Sequence, residues 1–206
     1  MPAEVASDAL DYLLFNGLKP EINFASLQAA MAVVLGFVTF SRAGSLVSIM
    51  DSDVVCNDAQ LRVYIRREKT ARTRTVIRRI DTLDPNPDRD LVVAFQHYQS
   101  RRAQMNWSSD VPFLGERTTS PGQWISQLMS SFLQEMEIPV PSGDRWTSRS
   151  LRSGGASAAF AMRAQPVRIM YTGGWADWNT VARHYLDLSI RETDDACRLL
   201  GGMVTH

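Results

Sequence analysis

The sequence predicts a mainly α-helical domain carrying one small antiparallel β-sheet, an α+β arrangement. Apolar residues recur at helical spacing through most of the chain, and two short β-branched runs, 61–65 and 75–80, flank a polar stretch. A length of 206 residues with 45% hydrophobic composition is enough for one buried core.

In chain order, Leu10, Leu13 and Leu14 mark a short helix that ends at Gly17 and Pro20. Residues 1–24 read as the tail of a larger structure or a short docking segment, and 25–206 as the main domain. From residue 24 to 50, Leu27, Met31, Val34, Leu35, Val38 and Leu46 fit two helices joined by a tight corner near 41–44. Runs 61–65 and 75–80 form a hairpin with Lys69 at or near its connection. Asp84-Pro85-Asn86-Pro87 is a turn, and a helix follows over about 89–105. A helix over 121–137 presents Ile125, Leu128, Met129 and Phe132 on one side. Ser148 is the expected cap of a helix over 149–162, although Gly154 and Gly155 weaken it. Pro166 opens a short helix stopped by Gly173-Gly174, and a last helical region spans 179–200.

Composition excludes several classes. Charged residues make up only 21% of the chain, which argues against disorder. The longest apolar run, 29–40, is too short to cross a bilayer, and no secretory leader opens the chain, so an intracellular protein with no membrane partner is expected. Cys56 and Cys197 are the only cysteines, and His97, His184 and His206 form no H-E-x-x-H pattern. Gly-rich phosphate loops and G-x-S-x-G elbows do not occur. The chemistry therefore rests on Arg, Lys and Tyr, with no cofactor and no metal expected.

Net charge is zero, from 22 basic and 22 acidic residues, but the distribution is uneven. Arg62, Arg66, Arg67, Lys69, Arg72, Arg74, Arg78 and Arg79 crowd the hairpin, with Glu68 as the one acid among them. Only two of the basic residues are lysines, Lys19 and Lys69. Arg holds phosphate with a bidentate fork, whereas Lys is a compact charge able to give up a proton. Arg149 and Arg152 are three residues apart, so a helix turns both to one side near its N-terminus. Taken alone, that pair reads as a solvated basic face. Arg42, beside a strongly apolar helix, either snorkels or holds an anion. Tyr185, on an apolar helix, packs in the core or at its rim unless another role claims it.

Read in order, Arg42, Lys69 on a basic hairpin, Arg149-Ser150-Leu151-Arg152, Gly174-Trp175 and Tyr185 ten residues later resemble the catalytic domain of the tyrosine recombinases, or phage integrases. The resemblance extends through Glu192-Thr193 and Arg198-Leu199-Leu200 and covers roughly 25–200. It implies a recombinase catalytic-domain fold over 25–206 with a C-terminal docking helix. It also implies site-specific cleavage and rejoining of double-stranded DNA through a 3′-phosphotyrosyl intermediate, a mobile-element origin, and a synaptic homotetramer on DNA. Tyr185 would be the nucleophile, Arg42 and Arg152 the phosphate forks, and Lys69 the general acid. Trp175 would donate a hydrogen bond to the phosphate. Arg66, Arg67, Arg72 and Arg74 would contact DNA, with the first three also lowering the Lys69 pKa. Leu188, Ile190, Leu199 and Leu200 would dock on a neighbouring subunit.

Three departures mark the pattern. Arg149 stands where the family has a His, and an Arg is no proton acceptor. Ser45 stands where an acid is common. One extra residue before Tyr185 puts His184 at the usual offset from Trp175, and a one-residue shift turns a helical side chain by about 100°. The loop near Trp178 is expected to absorb it. A non-catalytic DNA-binding remnant is the second reading, and nicking and swivelling of the type IB topoisomerase kind is the third.

Overall fold

The computed structural model describes residues 1–57, 60–65, 76–81, 89–107, 110–115, 118–140, 142 and 146–203. The helices are α1 (Ala3–Asn16), α2 (Phe24–Thr39), α3 (Ala43–Leu46), α4 (Arg89–Ala103), α5 (Pro121–Glu135), α6 (Ser148–Ala161), α7 (Pro166–Gly173), α8 (Trp178–His184) and α9 (Asp194–Leu200). Strands β1 (Val54–Asn57), β2 (Gln60–Ile65) and β3 (Val76–Asp81) pair antiparallel in that order. Among the described residues no helix is long and apolar enough to cross a membrane.

Helix α2 is the axle. Its sequence is apolar on every side, and from Ala29 onward each residue is buried. A helix without a polar face must be enclosed, and α1, α4, α5 and α6 enclose it. Asn23 caps its start, accepting from the Ala25 N–H at 3.0 Å. At its other end Thr39 Oγ1 donates to the Leu35 carbonyl at 2.6 Å, and Phe40 leaves the helix in a left-handed conformation (φ 50°, ψ 30°). Bulky residues rarely adopt that conformation, so it is the surrounding packing of Phe40, fully buried, that holds it.

The contact of α6 with α2 explains Gly155. A Cβ there would strike the Phe37 backbone carbonyl and the Phe40 ring. Gly154-Gly155 is thus a close-approach device, and the helix survives both glycines because the interface requires them. Thr147, not Ser148, is the cap of α6. Its Oγ1 accepts from the Arg149 N–H at 3.3 Å, and Ser150 Oγ accepts from the Thr147 N–H at 3.0 Å. The Ser148 N–H instead donates to Ser126 Oγ on α5 at 3.2 Å.

The hairpin runs are β2 and β3, in the register Leu61↔Ile80 and Val63↔Arg78, with Leu61, Val63 and Ile65 turned to the core. The sequence reading missed β1, a four-residue strand that joins the sheet through Val54↔Val63 and Cys56↔Leu61. Arg101 and Arg102, at the end of α4, are structural. Arg101 donates to the carbonyls of Lys19 (2.7 Å) and Ile22 (3.0 Å), and Arg102 donates to that of Val111 (2.9 Å).

The expected single helix over 179–200 is a correction. It is two helices, α8 and α9, separated by a turn-containing stretch over 185–193. Asp187 turns the chain by accepting from the Ser189 N–H at 2.9 Å, and Thr193 caps α9 by accepting from the Ala196 N–H at 3.1 Å. Leu199 and Leu200 are also corrected. They are buried in their own chain, where α9 packs on α1 and α6. Arg198 clamps this packing, with Nη2 2.7 Å from Asp11 Oδ1 on α1 and Nε 2.8 Å from Asp90 Oδ2 on α4. Leu188 is 68% exposed and lies outside that interface. Helix α1, tied to α5 by Tyr12 donating to Glu135 Oε1 at 2.6 Å, buries Ala6, Ala9, Leu10 and Leu13.

Substituting Gly155→Ala will destabilise the fold by about 1–3 kcal/mol through overpacking, because the obstructing atom is a main-chain carbonyl. Urea denaturation measures the loss, and an unchanged midpoint contradicts the packing argument. Asp177 caps α8, accepting from the Thr180 N–H at 2.9 Å and from Thr180 Oγ1 at 3.1 Å. The backbone bond chiefly holds its carboxyl below the ordinary 3.8. Its contribution is therefore present above that ordinary value and disappears as pH falls through the lower folded value. Asp177→Asn, which keeps an acceptor but does not titrate, will show a shallower loss of stability as pH falls below the ordinary 3.8.

Candidate active site

The sharp turn at Phe40 begins the site. Turning the chain at residue 40 points the Phe40 carbonyl toward α6, where Arg152 Nη1 donates to it in a short hydrogen bond. Two residues on, Arg42 precedes α3 in extended conformation (φ −73°, ψ 151°), and its carbonyl accepts from the N–H groups of Ser45 (2.9 Å) and Leu46 (3.0 Å). Ser45, on α3, is buried.

Arg152 is 2% exposed, an unusual position for a guanidinium. Its Cζ stands 3.8 Å from the centroid of the Trp175 ring, a cation–π geometry, while the Phe40 carbonyl takes one of its protons. Arg149, one turn earlier on the same helix, is exposed and donates from Nη2 to the His184 carbonyl at 3.5 Å. The pair therefore divides into a buried member and a surface member.

Trp175 is set by the end of α7. Gly174 adopts the left-handed conformation (φ 64°) that closes the helix, and the Trp175 N–H donates back to the Met170 carbonyl at 2.9 Å. Gly173 must lack a side chain because a Cβ would fall on the Trp175 ring. The ring is 7% exposed, and its Nε1 is buried without a hydrogen-bond partner among the described residues. Ser41 Oγ, beside Phe40, is likewise without one. Buried donors left unused in a native site carry an energetic cost and point to a missing acceptor.

Tyr185 follows α8 immediately, with its N–H on the Val181 carbonyl at 2.9 Å. Its ring meets Trp175 edge to face at 4.9 Å between centroids. The Arg152 and Arg149 Cζ atoms lie 5.2 and 5.4 Å from the Tyr185 centroid. His184 is exposed and meets this group only through its carbonyl, so Tyr185, not His184, lies against the arginines. Trp178, near which a loop was expected, is the first residue of α8.

Four of the expected residues, Arg149, Arg152, Trp175 and Tyr185, are thus in direct contact, and Arg42 lies two residues beyond Phe40, whose carbonyl accepts from Arg152. Lys69, Arg66, Arg67, Arg72 and Arg74 lie outside the described residues. Among the described residues no cluster of His, Cys, Asp and Glu could hold a metal ion. Sequence reasoning missed Phe40, whose left-handed turn has no local signature such as Gly or Asn. It also missed Ser157, whose hydroxyl bonds the Tyr185 segment.

No family model and no curated protein matches the sequence. Solved structures do match the fold. The XerH site-specific recombinase, in a pre-cleavage complex with its difH substrate, gives a TM-score of 0.60 at 10% identity over 87% of this chain and 47% of its own. XerA recombinase gives 0.56 at 17% identity, over 93% and 61%. A lambda integrase (75–356) dimer bound to a COC′ core site gives 0.54 at 18% identity, over 94% and 60%. The chain spans about half to three fifths of the length of these proteins. It adopts the fold of the tyrosine recombinase catalytic domain.

Proposed function

We propose that this domain cleaves and rejoins double-stranded DNA through Tyr185, the strand-transfer chemistry of site-specific recombination. The observation that carries the reading is the placement of one phenol against two guanidinium groups, with a buried indole N–H lacking an acceptor beside them. A phosphodiester is an anion with non-bridging oxygens to accept such donors, and its transition state gathers further negative charge. By the sequence resemblance Arg152 and Arg42 hold those oxygens, Arg149 stands beside Arg152 at the phenol, and Trp175 Nε1 adds a further donor.

In the forward step Tyr185 Oη attacks phosphorus and the P–O5′ bond breaks, leaving a 3′-phosphotyrosyl ester and a 5′-hydroxyl. The phenolic proton leaves to solvent or to a neighbouring base, and the departing O5′ takes a proton from Lys69. Rejoining is the reverse, with a 5′-hydroxyl displacing the tyrosine. Because the ester conserves the bond energy, the exchange itself consumes no nucleotide. Arg66, Arg67, Arg72 and Arg74 extend the phosphate contacts along the duplex. Assembly as a synaptic tetramer on DNA belongs to this same reading, supported by a lambda integrase tetramer of like fold bound to a Holliday junction; an origin in a mobile element rests on the sequence resemblance alone.

Arg149 favours a second reading, a DNA-binding remnant without catalysis. It adds phosphate affinity but, being permanently charged, accepts no proton from the phenol. General acid–base contributions are worth about 10²–10⁴-fold.

A pool of nicked duplexes of randomised sequence, in which the cleaved end diffuses away, distinguishes the two. The wild type will accumulate a covalent protein–DNA adduct on denaturing gels, and Tyr185→Phe will abolish it while retaining DNA binding. Retarded DNA with no adduct from the wild type selects the remnant. Arg149→His will speed adduct formation by about 10–100-fold if position 149 is a weakened base. An unchanged or slower rate refutes that account of Arg149.

A further inference from the structure

We propose that Ser157 is the positioning residue of the Tyr185 nucleophile, holding its backbone in the conformation that aims the phenol at the arginines. This rests on the reading of Tyr185 as nucleophile. Ser157 is 1% exposed, in the run Gly154-Gly155-Ala156-Ser157-Ala158-Ala159, where its hydroxyl is the one polar side-chain group. That hydroxyl donates to the Tyr185 carbonyl at 3.1 Å and accepts from the Asp187 N–H at 2.8 Å. One oxygen thus ties together both ends of a three-residue segment, using its donor and acceptor capacity at once.

The bonds matter because α8 stops here. Had the helix continued, the Tyr185 carbonyl would receive the Ser189 N–H, and the Asp187 N–H would reach the Arg183 carbonyl. Neither bond forms. The Ser189 N–H goes to Asp187 Oδ1 at 2.9 Å, and the N–H groups of Tyr185 and Leu186 both converge on the Val181 carbonyl, at 2.9 and 3.2 Å. Tyr185 takes φ −129° and ψ −21°, outside the helix. The carbonyl and the N–H released by this ending are the two groups that Ser157 satisfies. Its hydroxyl therefore sets where the helix ends, and hence the direction of the Tyr185 Cα–Cβ bond.

Its place on α6 couples this to the phosphate pocket. Arg149, Ser153 and Ser157 fall four residues apart along one side of the helix. Ser153 Oγ turns back to the Arg149 carbonyl at 3.3 Å, leaving Ser157 as the hydroxyl that crosses to the tyrosine segment, while Arg149 Nη2 reaches the preceding His184 carbonyl. A single rigid helix thus carries Arg149 and Arg152 and also grips the chain on which Tyr185 stands. Nucleophile and guanidinium groups keep their relative placement because they share one support, and small misplacements of reacting groups are costly in rate.

The test compares the wild type with Ser157→Ala and with the nearly isosteric, weakly hydrogen-bonding Ser157→Cys, using a nicked duplex selected by the wild type. Both variants will form adduct at least 10-fold more slowly at saturating DNA, with DNA affinity within twofold of the wild type. Rates within twofold of the wild type overturn the inference, as does a loss of affinity that accounts for the whole fall in rate. Should the wild type form no adduct, the nucleophile reading fails separately. Hydrogen exchange then decides the clamp: faster exchange of the Asp187 amide in Ser157→Ala, with the α2 amides unchanged, supports it, and equal exchange overturns it.

Discussion

Burial of the Arg152 guanidinium organises the domain around its candidate site. A charge taken out of water needs fixed partners, and here the partners are supplied by two distant parts of the chain, the Phe40 carbonyl and the face of Trp175. Each depends on a backbone ending. The carbonyl points inward because α2 closes with Phe40 in a left-handed conformation, and the indole lies over the guanidinium because α7 closes at Gly174. Gly155 allows α6 close enough to α2 for the bond to form. Core packing and site geometry are therefore one problem in this fold: the same interface that encloses α2 delivers Arg152.

Electrostatics separate the two arginines of α6. Arg152, buried, cannot move without breaking its contact with Phe40, so it serves as a fixed donor. Arg149, exposed and bonded to a carbonyl at 3.5 Å, can reorient toward a ligand at little cost. An anion at the phenol would meet one rigid and one adaptable fork. The chain as a whole is neutral, so this attraction is local and does not depend on a long-range basic field. What Arg149 cannot supply is proton acceptance, because its guanidinium is permanently charged.

Much of this was legible in the sequence, for identifiable reasons. The apolar periodicity of α2, the β-branched alternation of β2 and β3, and the Pro and Gly boundaries of α7 are local signals read by local physics. Arg149 and Arg152 were legible as a pair because helical spacing is fixed. Their unequal burial was not, since it depends on where Trp175 and Phe40 arrive from elsewhere. The cap of α6 was placed one residue late because Thr147 and Ser148 are both competent acceptors, and only the contact with Ser126 assigns the second to α5. The break after Tyr185 was missed for a related reason. Residues 179–200 hold no Gly or Pro, and the signals present, Asp187 with Ser189 and Thr193 before two acids, were masked by the apolar spacing around them.

That break changes what governs the backbone of Tyr185. A tyrosine in mid-helix has its direction dictated by the helix alone, and any adjustment must move the whole element. After α8 the backbone of Tyr185 is instead governed by side-chain bonds from a neighbouring helix, while α9 is anchored separately by Arg198 between Asp11 and Asp90. The stretch 185–193 is thus fastened at both ends to different supports, with Leu188 facing solvent between them. On the reading of Tyr185 as nucleophile, Ser157 keeps the start of this stretch in register with α6, and the exposed residues that follow are left to adjust.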